Sequence, residues 1–272
     1  MRISIPTRFR LIKGKIKLID GFYLLLLSSY IMFKTILQGL GKLVFPPICI
    51  LCKTKKLDDF PRQILCVPCE GRLQENIPPF CPQCSRHLHF KNYLTRCPSC
   101  THHQFHFDFA WSPLIYNDHL RNLIHAFKYH QKTYLKYYFV ERMISFIRLY
   151  HLDIHQFDLI IPTPLYSTRL RERGYNQSEL LAHLLSREYS IPLHLKNLIK
   201  IRHTPKQAMI KRKDRFTNLK GAFRINHSEK ISGKKILIMD DLITTGITAS
   251  EMALTLKSSG AKKVAVLTAA IA

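Results

Sequence analysis

Eight cysteines fall as four C-x-x-C pairs, Cys49/Cys52, Cys66/Cys69, Cys81/Cys84 and Cys97/Cys100, with none left over. Thirteen residues separate the first two pairs and twelve separate the last two. Each C-x-x-C turn presents two thiolates to one ion, and a spacer of this length lets a second turn fold back to complete a tetrahedron. The pattern predicts two structural zinc sites, Cys49, Cys52, Cys66, Cys69 and Cys81, Cys84, Cys97, Cys100. The competing reading is a disulfide framework in a secreted protein. Knuckle turns and matched spacers favour metal, and with it a reducing, cytoplasmic setting. His87, His89, His102 and His103 lie close by, but with eight thiolates present they read as surface residues. Ribbons of this kind do structural work more often than they touch a ligand.

Downstream, short apolar runs alternate with helical patterns. Residues 105–116 predict a strand, followed by helices over about 117–130 and 133–150. A buried strand over 157–161 stops at Pro162, and a helix covers about 174–188. A second buried strand is "KKILIMDD"; a helix runs from near Gly246 to Gly260, and "KKVAVLTAAIA" is the last strand. Apolar strands joined by helices indicate an α/β fold, a parallel sheet covered on both faces. The expected organisation is an extension over 1–31, an amphipathic helix and double zinc ribbon over 32–104, and the α/β domain over 105–272.

The N-terminus opens basic and turns apolar from Gly21 to Phe33. That run is short of the ~20 residues a membrane span needs, and no small-residue cleavage site follows it. Translation starting at Met32 would instead give a helix with Ile36, Leu37, Leu40, Leu43 and Val44 on one face, ended by Pro46 and Pro47. Contact of this segment with a membrane surface is the alternative.

Lys and Arg outnumber Asp and Glu by 42 to 18, a formal charge of +24. Polyanions are the natural partners of such a chain. Against that background "ILIMDDLITTGIT", residues 236–248, places two carboxylates at the end of a buried strand. The carboxyl ends of strands are where open α/β sheets bind ligands. The turn Thr244, Thr245, Gly246, Ile247 and Thr248 can aim backbone N–H groups and hydroxyls at a phosphate, with the helix dipole behind them. Asp240 and Asp241 cannot bind phosphate, but they accept hydrogen bonds from a sugar diol. A ribose 5-phosphate satisfies both halves. Capping of the turn and helix is the plainer role for the acids.

The stretch 236–248 resembles the phosphoribosyl pyrophosphate (PRPP) motif of type I phosphoribosyltransferases. Together with 161–182, 202–223, the helix 120–131 and the C-x-x-C ribbons, it is similar to the ComF family of competence proteins. The resemblance covers essentially residues 32–272. It implies a phosphoribosyltransferase-like parallel sheet, PRPP held by Asp240, Asp241 and Thr244–Thr248, and Mg²⁺ arriving with PRPP. It puts a pyrophosphate loop at Thr163, Pro164 and Leu165, with Arg169 close behind. A flexible, DNA-binding set follows: Arg171, Arg173, Arg202, Lys206, Lys211, Arg212, Lys213 and Arg215. The role of "RGYNQ", 173–177, is not deducible from sequence beyond Asn176 as a helix cap. The resemblance further implies single-stranded DNA and other competence proteins as partners in natural transformation, where cations interleaved with aromatics suit a single strand. A nucleotide-salvage transferase and a non-catalytic PRPP-binding scaffold are the alternatives. No catalytic residue is assigned, because no base-recognising segment is evident.

Overall fold

The computed structural model describes residues 47–57, 63–88, 96–203 and 219–272, together with Ser29, Met32 and Phe33. The expected helix after Met32 and its membrane contact, His89, and the cations Lys206, Lys211, Arg212, Lys213 and Arg215 lie outside the described residues. The chain divides into two compact units, Met1–Pro47 and Ile48–Ala272, and the second carries the sheet. Among the described residues no helix is long and apolar enough to cross a membrane.

In that second unit the helices are α1 Val67–Glu70, α2 Pro98–His102, α3 Asp118–Tyr129, α4 Leu135–Leu149, α5 Ser167–Arg173, α6 Gln177–Tyr189 and α7 Ile247–Ser258. The strands are β1 Gln74–Glu75, β2 Phe109–Trp111, β3 Leu114–Ile115, β4 Leu159–Pro162, β5 Leu198–Lys200, β6 Phe223–Ile225, β7 Lys235–Ile243 and β8 Lys263–Ile271. β7 and β8 form the centre, paired in parallel from Lys235↔Lys263 to Ile243↔Ile271. β4 lies parallel on the far side of β7. β2 and β3 both lie parallel along the other edge of β8, and β1 closes that edge antiparallel to β3.

Strand alternation explains how two cores arise from one sheet. Successive side chains of a strand point to opposite faces. Leu237, Met239, Ala265 and Leu267 therefore enter one core, with Leu123, Phe127, Phe139, Met143, Leu181 and Leu185 from α3, α4 and α6. Ile236, Ile238, Val264 and Val266 enter the other, with Met252, Ala253 and Leu256 from α7 and with Phe105, Phe107 and Phe223. Full burial of such a side chain stabilises by roughly 1.5–3 kcal/mol. Covering both faces is why Ile236–Met239 of β7 and Val264–Leu267 of β8 read as unbroken apolar runs.

α3 shows how one helix is specified. Leu120, Leu123, Ile124 and Phe127 are buried at helical spacing, and Asn117 Oδ1 accepts from the Leu120 N–H at 2.9 Å. That cap satisfies one of the four donors a helix start leaves unpaired.

Three local features differ from the expectation. The 105–116 strand is two short strands, broken at the buried Ser112 and at Pro113, which has no N–H to give to a ladder. The Ser112 and Pro113 carbonyls instead accept from the side chain and backbone of Asn76, at 2.9 and 2.7 Å. The expected 174–188 helix starts at Gln177, and a separate helix, α5, precedes it and ends at Gly174 (φ 75°). Finally, two short strands not expected from the sequence, β5 and β6, pair antiparallel on either side of the basic segment 202–220.

Candidate functional site

β4 ends at Pro162, which pairs with Met239 of β7, while β7 runs on to Ile243. The acid pair follows Met239 at once. Asp240 Oδ1 accepts from the Asp241 N–H at 2.9 Å and from Ser178 Oγ on α6 at 3.1 Å. Asp241 forms an ion pair with Lys128 Nζ of α3 at 2.7 Å, the two side chains being 9% and 20% exposed. Burial first, then the Asp241 charge, pushes the Asp240 carboxyl up to about 7, with Lys128 pulling the other way. On β5, burial and then the Arg169 guanidinium bring Lys200 down to about 8, while Asp240 opposes the shift. Lys128, Ser178 and Lys200 were not singled out in the sequence. No spacing rule points to them, because each comes from a different element.

The turn after β7 is built as its sequence suggests. Gly246 has φ 77°, a conformation other residues rarely adopt. A Cβ there would also meet the Phe105 ring at 3.1 Å. α7 starts at Ile247, whose apolar side chain is buried, so its offering to a ligand is backbone. Thr244 is exposed; Thr245 and Thr248 are half-buried. The Thr244 carbonyl accepts from Arg86 Nη2 at 3.2 Å.

The turn after β4 faces the same end of the sheet. The Thr163 N–H donates to the Met239 carbonyl at 2.9 Å, and the Thr163 carbonyl accepts from Asn176 Nδ2 at 3.0 Å. Pro164, Leu165 and Arg169 are half-buried. The hydroxyls of Thr163, Thr168 and Thr245 are buried without a hydrogen-bond partner. Leaving a buried donor unpaired costs about 1–3 kcal/mol, so these three hydroxyls around two adjacent turns are donors that a bound water or ligand would satisfy.

The structure brings Asp240, Asp241, Thr163 and Arg169 together and separates other expected residues from them. Arg171 is exposed on α5. Arg173 instead stacks on Tyr129, 4.9 Å from the ring centre, and donates to its hydroxyl at 3.2 Å. Arg202 donates to the Lys220 carbonyl at 2.7 Å, joining the two ends of the basic segment. Beside Arg202 the His203 ring meets Tyr166, 5.3 Å between centres, next to the β4 turn.

The cysteines form two clusters, Cys49, Cys52, Cys66, Cys69 and Cys81, Cys84, Cys97, Cys100, with all sulfurs of each within 4.8 Å of one another. None is in a disulfide. Cys52 and Cys66 sulfurs are 3.8 Å apart, and Cys84 and Cys97 sulfurs 3.5 Å. Four thiolates about 2.3 Å from one ion have edges of this length, so both donor sets fit zinc. In each ribbon one knuckle is a tight turn followed by a left-handed residue, Lys53 or Ser85. The other opens a short helix at Cys66 or Cys97.

Residues 40–103 match the double zinc ribbon domain. Competence protein F of Haemophilus influenzae is 32% identical over 217 residues, 74% of this chain and 88% of that protein. DNA utilization protein YhgH of Salmonella typhimurium is 26% identical over 226 residues, 82% and 96% of the two chains. Among solved structures, a glutamine PRPP amidotransferase from B. subtilis, complexed with ADP and GMP, aligns at TM-score 0.36 and 17% identity, over 53% of this chain and 30% of that one. A score that low carries no argument, and the fold rests on the strand order described above. The similarity to Competence protein F spans most of both chains, and with the ribbons and the parallel sheet it establishes that the chain belongs to the ComF family of competence proteins.

Proposed function

We propose that this protein binds PRPP, or another ribose 5-phosphate compound, and acts in DNA uptake on incoming single-stranded DNA. One observation carries the reading: an acid pair at the end of β7 runs directly into a phosphate-type turn at the start of a helix. Asp240 and Asp241 would accept from the ribose hydroxyls. The N–H groups and hydroxyls of Thr244, Thr245, Gly246, Ile247 and Thr248 would hold the 5-phosphate. Thr163, Pro164, Leu165 and Arg169, with Lys200 beside them, would face the pyrophosphate, whose charge Mg²⁺ bound to PRPP would screen. The unpartnered hydroxyls of Thr163 and Thr245 support a polar ligand between the two turns. The names of the relatives, a competence protein and a DNA utilization protein, support the role in DNA uptake.

The basic segment between β5 and β6, with Lys206, Lys211, Arg212, Lys213 and Arg215, would take the DNA backbone alongside Arg171, Arg173 and Arg202. On this reading the protein works in the cytoplasm beside other competence proteins. Residues 105–272 form the working domain, and the zinc module within 32–104 braces it.

Calorimetry of the full chain tests both parts. PRPP with Mg²⁺ binds the wild type and is lost in the double variant Asp240→Asn, Asp241→Asn. Single-stranded DNA binds with steep salt dependence, and reversing the charges of Lys211, Arg212 and Lys213 weakens it. DNA binding indifferent to that triple change, or PRPP heat unchanged in the double variant, overturns the corresponding half. Release of pyrophosphate with one particular base would make the protein a transferase; binding without turnover would make it a scaffold.

A further inference from the structure

The last carbonyls of any α-helix lack partners within the helix. In α3 they are met by side chains of one short segment. Tyr175 Oη donates to the Phe127 carbonyl, and Gln177 Nε2 donates to the Lys128 carbonyl at 3.4 Å. Arg173 stacks on Tyr129 and holds its hydroxyl. A further bond, Arg173 Nη1 to Gln177 Oε1 at 2.8 Å, ties two of the three together. Three consecutive residues of α3 are thus gripped by alternate residues of 173–177, and the middle one carries the ammonium that meets Asp241.

We propose that Arg173, Tyr175 and Gln177 are a latch that positions Lys128, and that Lys128 is a fixed counter-charge favouring the ionised form of the Asp240–Asp241 pair, the form that accepts a diol. The diol clause rests on the ribose phosphate reading; the latch and the counter-charge do not. Adjacent buried carboxylates disfavour each other's ionisation, and a cation within hydrogen-bond reach offsets this. Asp240 is faced by Asp241 on its own strand, by Lys128 from α3, by Ser178 from α6 and by Lys200 from β5, with Arg169 of α5 beside Lys200. Lys128 alone among these cations forms an ion pair with Asp241 in the described residues. A buried ion pair is weak support for a fold, since apolar groups would serve as well, so a second role explains its retention better.

The test is titration of the aspartates in the full chain, ¹³C-labelled at the carboxyl and followed by NMR. In Lys128→Met the Asp240 midpoint rises by roughly 1–3 pH units. In Lys128→Arg it stays near the wild-type value. In the double variant Tyr175→Phe, Gln177→Met it moves in the same direction as in Lys128→Met, but less. An unchanged midpoint in Lys128→Met overturns the counter-charge, and an unchanged midpoint in the double variant overturns the latch. Should Lys128→Met fail to fold, as judged by its melting curve, Lys128→Gln replaces it under the same criteria. A second arm measures PRPP–Mg²⁺ affinity at pH 7 and pH 9. Lys128→Met binds roughly fivefold or more weakly than wild type at pH 7, the loss of ionised Asp240 that a one-unit rise from a midpoint near 7 produces, and the gap narrows at pH 9. A gap that stays as wide at pH 9 as at pH 7 overturns the counter-charge role. If wild type binds no PRPP at either pH, the ribose phosphate reading fails while the titration still decides Lys128.

Discussion

In the first zinc ribbon Cys49, Cys66 and Cys69 are part of the core under α3, α4 and α6. In the second, all four cysteines belong to the core on the other face of the sheet, with α7 and Phe105. The first is fastened to a helix: Glu70 accepts from Tyr138 Oη at 2.8 Å and pairs with Arg142, both on α4. The second is fastened to the turn after β7. Arg86, two residues past Cys84, donates to the carbonyls of Ala272 and Thr244 and to Ser99 Oγ of α2. Phe105 then fills the space against Gly246. Two modules with the same ligand chemistry thus do different jobs: one braces a helix and the other braces a phosphate-type turn. Duplication in sequence does not mean duplication in role.

The largest effect that separates the ribbons is loss of metal. Cys66→Ser with Cys69→Ser, and Cys97→Ser with Cys100→Ser, each remove one zinc per chain by elemental analysis and lower the melting temperature steeply, since metal binding and folding are linked. Only the second pair also abolishes PRPP binding in whatever fraction stays folded. Equal loss of ligand binding from both pairs would erase the distinction.

Next come the cores themselves. Ile238→Ala and Met239→Ala are neighbours on one strand that open cavities on opposite faces, and each costs roughly 2–5 kcal/mol in denaturant unfolding. Midpoints that fall together confirm a single cooperative unit across the sheet; only one falling would mean that the two cores unfold independently.

The acid pair spans the same divide, with Asp241 served by Lys128 of α3 and Asp240 beside Lys200 of β5. Burial, then the Asp241 charge, pushes the Asp240 carboxyl of the folded chain from an ordinary 3.8 up to about 7. The folded state therefore holds this proton more tightly than the unfolded state. Its contribution to stability is complete below about pH 4 and is lost as pH rises through 7. The expected loss is on the order of a few kcal/mol at most. Asp240→Asn should flatten the fall in melting temperature between pH 5 and pH 8. If the ligand is a ribose phosphate as proposed, its binding should run the other way and strengthen over the same interval, because a diol needs the ionised acid.

Smallest are the fasteners. Arg142→Met and Arg86→Met should each cost about 1 kcal/mol, since both are partly exposed, or roughly 2–4 °C for a chain of this size. Arg86→Met alone should weaken PRPP in calorimetry.

The parts of the fold that could be read from sequence are those where one periodicity dominates. β7 is apolar over Ile236–Met239 and β8 over Val264–Leu267 because both faces are covered there, and α3 repeats its buried residues at helical spacing. Ser112–Pro113 broke an expected strand because the ladder there is replaced by bonds from Asn76, 36 residues upstream of Ser112. β5 and β6 are three residues each and pair on either side of the basic segment, too short for a pattern to show. Within the site, Asp240, Asp241 and the Thr244–Thr248 turn are contiguous and so visible. Lys128 reaches Asp241 from 113 residues away, and no local signal marks such a meeting. "RGYNQ" acquired meaning only beside α3. Asn176 does cap α6, accepting from the Ser178 N–H at 3.1 Å, and in addition it holds the Thr163 carbonyl.

One small pairing has a wider consequence. β1, between the first and second ribbons, lies antiparallel on β3 and covers the outer edge of that two-residue strand. A bare edge offers unpaired N–H and C=O groups to any other strand and invites aggregation. The strand that covers it is two residues long and exposed, and it carries Glu75, so it closes this edge of β3 without offering a usable edge of its own. β1 is strung between the two ribbons, so protein starved of zinc should clump at concentrations where the loaded protein stays dispersed, as light scattering would show.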